Sequence, residues 1–248
     1  MPTMTLEDHG TTAFLRLTNG VTNPIDRPLV EELTAAVDEI KGRYRGLVLA
    51  GNNKFFSIGL HVPHLLMLGR DEMKDFWNRF EDLVLRIYTL PIPTACAMAG
   101  HATGGGAILA LACDYRFIAG GRKLFALNEV KIGVPVPYLA DLMLRQIVSD
   151  RVAVEMEFRS GFLGPDEAKA AGLADAVCSE EEVEARAIER VAELAALPAA
   201  AFALTKQHRT REIQKRFTAI REDLNRAFME CWFAPASQAL LKEAAAKF

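Results

Sequence analysis

The amino-acid sequence predicts a mixed α/β fold with a helical C-terminal region. Short apolar runs at residues 46–50 and 94–98 have the length of strands and no charge, as expected for strands covered on both faces. Turn residues and stretches with helical spacing follow them, and two strands followed by a helix, repeated, indicate stacked ββα units. From residue 138 onward the pattern is almost entirely helical.

Composition is that of a globular protein. The chain has 248 residues, of which 50% are hydrophobic and 25% charged, and this length is sufficient for a full-sized core. A formal net charge of −3 provides no general attraction to nucleic acid or to an anionic membrane. Four cysteines without C-x-x-C spacing, and an N-terminus without a basic-then-apolar segment, favour a reducing, cytoplasmic location.

The first elements follow from local patterns. Residues 11–17 are rich in β-branched and large apolar side chains and predict a strand, ended by the turn signal Asn19-Gly20. Asp26 is suited to cap a following helix. The apolar positions of that helix have helical spacing: Leu29, Leu33, Ala36, Val37 and Ile40. Residues 51–61 predict a loop rich in aromatic residues and glycine, and residues 72–88 predict the next helix.

The central stretch predicts a strand at residues 94–98, a turn at Gly104, Gly105 and Gly106, and an apolar helix over residues 108–113. Bare backbone N–H groups at a helix start favour an anion or a developing negative charge. Two other interpretations stay open: the glycines form only a tight turn, or residues 95–112 span a membrane. The glycines and His101 within the run argue against a membrane span.

The remaining elements are strands at residues 115–119 and 124–126, then helices at 165–171 and 180–197. Residues 200–248 predict further helices with an apolar stripe, which we expect to pack on the chain's own core or on a neighbouring subunit. The stripe consists of Phe217, Ile220, Leu224, Phe228 and Trp232. We therefore divide the chain into a core over residues 1–197 and a helical region over residues 198–248.

Two loops expose backbone N–H groups after a buried strand, at residues 57–60 and 104–106. If these loops converge, they form an oxyanion hole, which stabilises an enolate or a tetrahedral oxyanion without a metal. Glu129 is the candidate acid/base, because the apolar turn at residues 132–135 would desolvate its carboxyl and raise its pKa. The alternative is that Glu129 caps a turn or pairs with Lys131 or Arg122.

A metal site is the other candidate, built from His61, His64 and His101. Pro63 disfavours a helical pairing of the first two, and no carboxylate or cysteine accompanies them at ligand spacing. We expect no metal and no resident cofactor.

Three motifs carry a resemblance to the enoyl-CoA hydratase/isomerase (crotonase) superfamily. Residues 56–61 resemble the family's F-S-A-G-x-D segment. Residues 99–106, followed by residues 113–116, resemble N-G-x-A-x-G-G-G…C-D-x-R. Residues 168–177 resemble E-A-x-x-x-G-L-V, and the order and spacing agree over nearly the whole chain.

The resemblance implies a spiral of ββα units, a C-terminal helical region that forms homotrimers or dimers of trimers, and an acyl-CoA thioester substrate. It places the oxyanion hole at the backbone N–H groups of Leu60 and Gly105. It also implies that residues 57–61 contact CoA, namely Ser57, Ile58, Gly59, Leu60 and His61. The basic residues of the C-terminal region either form a solvated face or meet CoA phosphates of a neighbouring subunit: Lys206, Arg209, Arg211, Lys215 and Arg216.

Departures from the family pattern favour one reaction. The resemblance implies two glutamates in hydratases of this family. In this sequence the position of the first glutamate is occupied by Ile108, and the position of the second by Glu129. A single carboxylate suffices for a 1,3-proton shift. Residues 127–129 have the sequence L-N-E, which resembles that of Δ3,Δ2-enoyl-CoA isomerases. This resemblance implies that Asn128 positions the acyl chain. His61 and Ala99 replace the family's usual Asp and Asn. The alternatives are hydration, thioester hydrolysis or decarboxylation on the same scaffold, or a non-catalytic scaffold that binds acyl-CoA or a partner.

Overall fold

A six-stranded sheet lies at the centre of the fold, in the order β1-β2-β4-β7-β9-β11. This computed structural model describes residues 2–246. Within that range the strands are β1 Met4–His9, β2 Thr12–Leu17, β3 Pro24–Ile25, β4 Gly46–Ala50, β5 Phe55–Ser57, β6 Gly59–Leu60, β7 Thr94–Met98, β8 His101–Thr103, β9 Tyr115–Ala119, β10 Phe125–Ala126 and β11 Ala176–Cys178. Only β1 and β2 pair antiparallel in this sheet; all its other pairs are parallel.

Helices cover both faces of the sheet. In chain order they are α1 Arg27–Arg43, α2 Val62–Leu65, α3 Arg70–Thr89, α4 Gly105–Leu111, α5 Tyr138–Ile147, α6 Asp150–Arg159, α7 Pro165–Ala170, α8 Val183–Ala195, α9 Ala199–Trp232 and α10 Pro235–Ala245. On one face α8 packs against alternate side chains such as Ala95 and Ala97. On the other, Cys96 and Met98 join the larger core. The predicted α/β class, with strand 94–98 buried on both faces, is confirmed.

Local sequence signals account for most element boundaries. The Asp26 side chain caps α1 by accepting a hydrogen bond from the Leu29 backbone N–H at 3.0 Å. Strand β1 was not predicted. It lies at the edge of the sheet, its residues are a mixture of exposed and half-buried ones, and it contains the charged residues Glu7 and Asp8. The segment predicted as a loop at residues 51–61 contains two short strands instead. Strand β5 pairs with β8, and β6 pairs with β3.

The C-terminal helices pack on the same chain's core. Helix α9 contacts α3 and α5, and α10 contacts α2. Of the predicted apolar stripe, Phe217, Phe228 and Trp232 are buried in this core, whereas Ile220 is 44% exposed. The division of the chain at residue 197 stays a prediction. No helix within residues 2–246 combines the length and the apolar character that crossing a bilayer requires.

Lys206 fits neither interpretation of the basic residues on α9, namely a solvated face or a contact with CoA phosphates. Its side chain is 5% exposed, and its Nζ donates to Asp114 Oδ2 at 2.7 Å and to the Ile92 carbonyl at 3.0 Å. Asp114 Oδ2 also accepts hydrogen bonds from the backbone N–H and the hydroxyl of Thr94. The ion pair joins the buried Lys206 to the half-buried Asp114, which in turn binds Thr94 at the start of β7. Lys206 is therefore neither part of a solvated face nor free to meet a phosphate.

We expect Lys206→Met to lower the free energy of unfolding by about 3 kcal/mol, because it leaves the Asp114 carboxylate without its buried countercharge. Lys215→Met is the matched control on the same helix, since Lys215 is exposed, and we expect a change of less than about 0.5 kcal/mol. Urea denaturation of both variants measures the difference. Equal destabilisation by the two substitutions would contradict the structural role of the ion pair.

Candidate active site

A cavity of about 340 Å³ lies between the loops that follow β5, β8 and β10 and the helices α3 and α9. One part of its lining comes from the loops and from the start of α4: Ile58, Leu60, Thr103, Gly104, Gly105, Asn128 and Glu129. Another part is apolar and is contributed by helices: Val62, Trp77, Phe80, Ile108, Phe228, Trp232 and Ala244. Among the described residues that line the cavity, Glu129 is the only ionisable one.

The two candidate loops converge, and glycine makes their approach possible. Gly59 has a φ of +100°, and a Cβ atom there would lie 2.8 Å from the Thr103 carbonyl oxygen and 2.9 Å from the Gly105 nitrogen. Both separations are too short for a side chain. The hydroxyl of Thr103 donates to the Ile58 carbonyl at 2.9 Å and ties the loops together.

This convergence brings two backbone donors next to each other. His61 N–H donates to the Ile25 carbonyl in β3 at 2.9 Å, so the preceding N–H in the extended strand, that of Leu60, points away from β3. Gly105 is the first residue of α4, where N–H groups have no partner within the helix. The Leu60 nitrogen lies 3.4 Å from the position of a Cβ on Gly105. Two neighbouring backbone donors are what an oxyanion hole requires, and the assignment of Leu60 and Gly105 to such a site stays a prediction.

Glu129 lies three residues after the end of β10 and directly precedes the 3₁₀ turn Val130–Ile132. Its side chain is buried, and its Oε2 atom has no hydrogen-bond partner among the described residues. The pKa of Glu129 is raised to about 7, chiefly because burial disfavours the charged form. A hydrogen bond from its own backbone N–H opposes this shift, and the nearby Glu157 side chain adds to it. The group can therefore accept and return a proton near neutral pH.

The structural alternatives for Glu129 have no support in these contacts. Its side chain makes no capping hydrogen bond. Lys131 is engaged elsewhere, because its Nζ donates to the Ser160 carbonyl at 2.9 Å. Within residues 2–246, no ion pair joins Glu129 to Lys131 or Arg122. The carboxyl is thus buried without a countercharge among the described residues, which is energetically costly. Ionisable groups with pKa values shifted in this way are common at functional sites.

The other predicted site residues fall into two groups. Ile58 and Asn128 line the cavity, and the Asn128 Oδ1 atom lies 3.4 Å from the Cβ position of Gly104. Ser57 lies behind the cavity wall and is fully buried; its Oγ donates to the Asn23 carbonyl at 2.7 Å and accepts from Gly59 N–H at 3.1 Å. Gly59 and His61 also lie outside the lining. Burial lowers the pKa of His61.

The aromatic part of the lining was not identified from the sequence. Trp77, Phe80, Phe228 and Trp232, here called the aromatic wall, come from α3 and α9, more than a hundred residues apart in the chain. Phe228 and Trp232 belong to the predicted apolar stripe, and both are buried in the chain's own core. Helical spacing carries no signal that such residues also face a cavity. Within residues 2–246, no three His, Cys, Asp or Glu side chains lie together as metal ligands would.

Comparisons with known proteins concern the family and the fold of this chain. Residues 7–239 match the family described as enoyl-CoA hydratase/isomerase. Human mitochondrial enoyl-CoA delta isomerase 1 is 29% identical over 199 residues, covering 78% of this chain and 66% of the relative. A probable enoyl-CoA hydratase of Mycobacterium avium (strain 104) is 31% identical over 173 residues, covering 69% and 67%. The chain thus spans about two thirds of the length of these relatives.

The structural comparison concerns the fold. The crystal structure of human mitochondrial Δ3-Δ2-enoyl-CoA isomerase superimposes with a TM-score of 0.95 at 24% sequence identity. The alignment covers 99% of this chain and 97% of that one. At this level of identity the likeness shows a shared fold, which includes the C-terminal helices.

We expect Glu129→Gln to stabilise the protein more at about pH 8 than at about pH 5. Because the folded-state pKa lies above that of an unfolded glutamate, wild-type stability falls as the pH rises from the ordinary carboxyl range through about 7. The neutral amide avoids this loss, which is at most about 3 kcal/mol. Thermal unfolding at both pH values measures it, with Glu243→Gln as the exposed control. A gain that is equal at both pH values would show that burial does not raise this pKa.

Proposed function

The chain belongs to the enoyl-CoA hydratase/isomerase family, and on that basis we propose that it isomerises a 3-enoyl-CoA thioester to the trans-2-enoyl-CoA. The observation that carries the proposal is the single carboxylate in the cavity, Glu129, beside the paired N–H groups of Leu60 and Gly105. A 1,3-proton transfer needs one group that moves a proton and one device that stabilises the enolate.

In the proposed mechanism, Glu129 removes a proton from C2 and the C2–H electron pair moves into the thioester. The negative charge on the thioester oxygen is stabilised by the Leu60 and Gly105 N–H groups. The electrons then form the C2–C3 double bond as the C3–C4 double bond opens, and Glu129 returns the proton to C4. No atom or electron is gained or lost, so no cofactor is required; CoA is part of the substrate.

Desolvation suits Glu129 to both halves of this transfer. With a pKa of about 7 it is ionised often enough to act as a base, and its conjugate acid still gives the proton back. The protein walls replace water around the reacting atoms, which strengthens the interaction between the two N–H groups and the enolate. Asn128, which lines the same cavity, is proposed to position the acyl chain next to Glu129.

Hydration of a 2-enoyl-CoA is the second candidate, since one relative is named a probable enoyl-CoA hydratase. Ile108 argues against it. This residue lines the cavity and is 3% exposed, at the position where the resemblance places the first of the two hydratase glutamates. An isoleucine side chain can neither hold nor activate a water molecule, so one of the two groups that hydration uses is absent from the described lining.

The resemblance supports a proposal about assembly, and the unpaired pattern of the four cysteines supports one about location. We propose a homotrimer or a dimer of trimers, which analytical ultracentrifugation would test, and a cytoplasmic location, which fractionation would test. CoA contacts by Ser57, Ile58, Gly59 and His61 belong to the same proposal. Because Ser57 and Gly59 are buried, such contacts would involve the exposed parts of the loop rather than the Ser57 hydroxyl.

The direct test follows conversion of a medium-chain trans-3-enoyl-CoA to the conjugated thioester by the wild type and by Glu129→Gln. We expect the variant to lose at least about a hundredfold in kcat, because the only proton-transferring group of the lining is removed. A parallel assay measures hydration of the 2-enoyl product, which should be slow with the wild type. A folded wild type that binds CoA thioesters and does not isomerise them would exclude the proposal; fast hydration would favour the second candidate.

The oxyanion hole is tested by Gly105→Ala. The added Cβ would lie 3.1 Å from Ile25 Cδ1 and 3.3 Å from Leu60 Cδ2, and these flexible side-chain ends can shift, so the fold should persist. The methyl group would stand 3.4 Å from the Leu60 nitrogen, in the space proposed for the thioester oxygen. We expect kcat to fall by about a hundredfold or more.

Gly106→Ala provides the contrasting control, because its Cβ would overlap the backbone of Ser57 and should lower the unfolding temperature. Circular dichroism and calorimetry separate the two effects. Full activity of a correctly folded Gly105→Ala variant would contradict the placement of the oxyanion hole.

A further inference from the structure

The aromatic wall of the cavity is held in one arrangement by stacking. The rings of Trp77 and Phe228 are stacked, with centroids 3.7 Å apart and planes inclined by 11°. Phe80 lies 5.9 Å from Trp77, and Trp232 lies 6.1 Å from Phe228, between ring centroids. All four residues are at most 4% exposed. The wall is therefore a packed surface between α3 and α9.

A hydrogen bond on the far side of the wall fixes Trp77. The indole Nε1–H donates to Asn225 Oδ1 in α9 at 3.2 Å. Asn225 is 1% exposed, and its Nδ2 donates to Asn78 Oδ1 at 2.7 Å and to Glu81 Oε2 at 2.8 Å. Since an indole only donates and a carboxylate only accepts, these partners allow one orientation of the Asn225 amide.

This network leaves Trp77 little freedom. Another rotamer of the indole would leave both its N–H and the Asn225 oxygen buried without partners, which is unfavourable. Because the N–H is directed toward Asn225, the polar edge of the indole is taken up within the α3–α9 contact. Trp77 can then contribute apolar ring surface to the cavity.

Arg221 belongs to the same α3–α9 contact without touching the wall. Its guanidinium donates to Glu81 Oε2 at 3.1 Å, to Asp82 Oδ1 at 2.6 Å and to the Asn78 carbonyl at 2.6 Å. It therefore stabilises the joint between the two helices, but it makes no hydrogen bond to Trp77. This difference provides a matched control for Asn225.

We propose that Asn225 is a positioning residue that holds Trp77 across the end of the acyl pocket, and that the wall so formed makes the site selective for medium-chain acyl-CoA thioesters. The inference rests on the proposed use of the cavity for an acyl-CoA. Trp77 is the residue that limits chain length, and Asn225 acts through it.

The size of the cavity sets the class of acyl group. A volume of about 340 Å³ holds roughly eleven groups of ~30 Å³ each, the share of liquid volume of one water molecule and close to that of a methylene. The thioester carbon, oxygen and sulfur occupy about three of these places. The remaining space is of the size of a medium-length acyl chain, and in this proposal a much longer chain would meet the aromatic wall.

Binding of unreactive saturated thioesters tests this selectivity without requiring turnover. We expect tetradecanoyl-CoA to bind the wild type no more tightly than octanoyl-CoA in calorimetric titrations. In an open apolar tunnel, by contrast, each added methylene would strengthen binding by about fourfold. Asn225→Leu removes the acceptor for Trp77, and we expect it to improve tetradecanoyl-CoA binding relative to octanoyl-CoA by at least about tenfold.

Three further variants separate positioning from general loosening of the joint. Trp77→Phe removes the donor of the same hydrogen bond and should also improve tetradecanoyl-CoA binding relative to octanoyl-CoA. This variant therefore tests the inference even if Asn225→Leu does not fold. In the double variant, Asn225→Leu should add nothing to Trp77→Phe. Arg221→Met should lower the unfolding temperature and leave the ratio of the two affinities unchanged.

Two results would overturn the inference: tighter binding of tetradecanoyl-CoA by the wild type, or equal shifts of the ratio in Asn225→Leu and Arg221→Met. A folded wild type that binds no acyl-CoA of any length would instead overturn the proposed function. Loss of isomerase activity alone leaves the binding experiment unaffected, so the two failures are distinguishable.

Discussion

The close contact between two backbone segments, residues 57–60 and 104–106, is the constraint on which the site depends. At Gly59 and Gly106 a side chain would collide with main-chain atoms of the opposite segment, so only glycine permits this approach. The contact places the Leu60 and Gly105 N–H groups together beside the cavity. Its glycines thus serve packing and chemistry at once, since the same bare backbone that packs closely is also what a developing oxyanion would meet.

The buried carboxyl of Glu129 shows the opposite balance between stability and function. Without a countercharge, its ionised form is unfavourable in the cavity, and the pKa rises to about 7. A protein that needed only stability would gain from an apolar residue here. The carboxylates that serve structure are bonded differently: Asp114 accepts from Lys206 and from Thr94, and Glu81 accepts from Asn225 and Arg221. Each of these two carboxylates has several donors on one oxygen, whereas the Oε2 atom of Glu129 has no partner among the described residues.

The C-terminal helix α9 is part of the cavity rather than an addition to a finished core. Lys206 fastens its first half to β7 through Asp114, and Asn225 fastens its second half to α3 through Trp77. Phe228 and Trp232 then complete the cavity wall. Because these contacts are internal to one chain, the proposed assembly would use other surfaces of the same helices.

Local sequence patterns were sufficient for the α/β class, for strands such as 46–50 and 94–98, and for the Asp26 cap. They identified Glu129 and the two glycine-containing loops only as candidates, and the assignment of these residues to a site came from the family resemblance and stays a prediction. Hydrophobic period, turn residues and caps act over a few positions, so they can be interpreted without knowledge of the fold. The pairing of Lys206 with Asp114, 92 residues away, and of Trp77 with Asn225, 148 residues away, was decided only by the tertiary structure. A lysine or an aromatic stripe on a helix has the same sequence pattern whether it faces solvent, core or cavity, because its environment is supplied by distant segments.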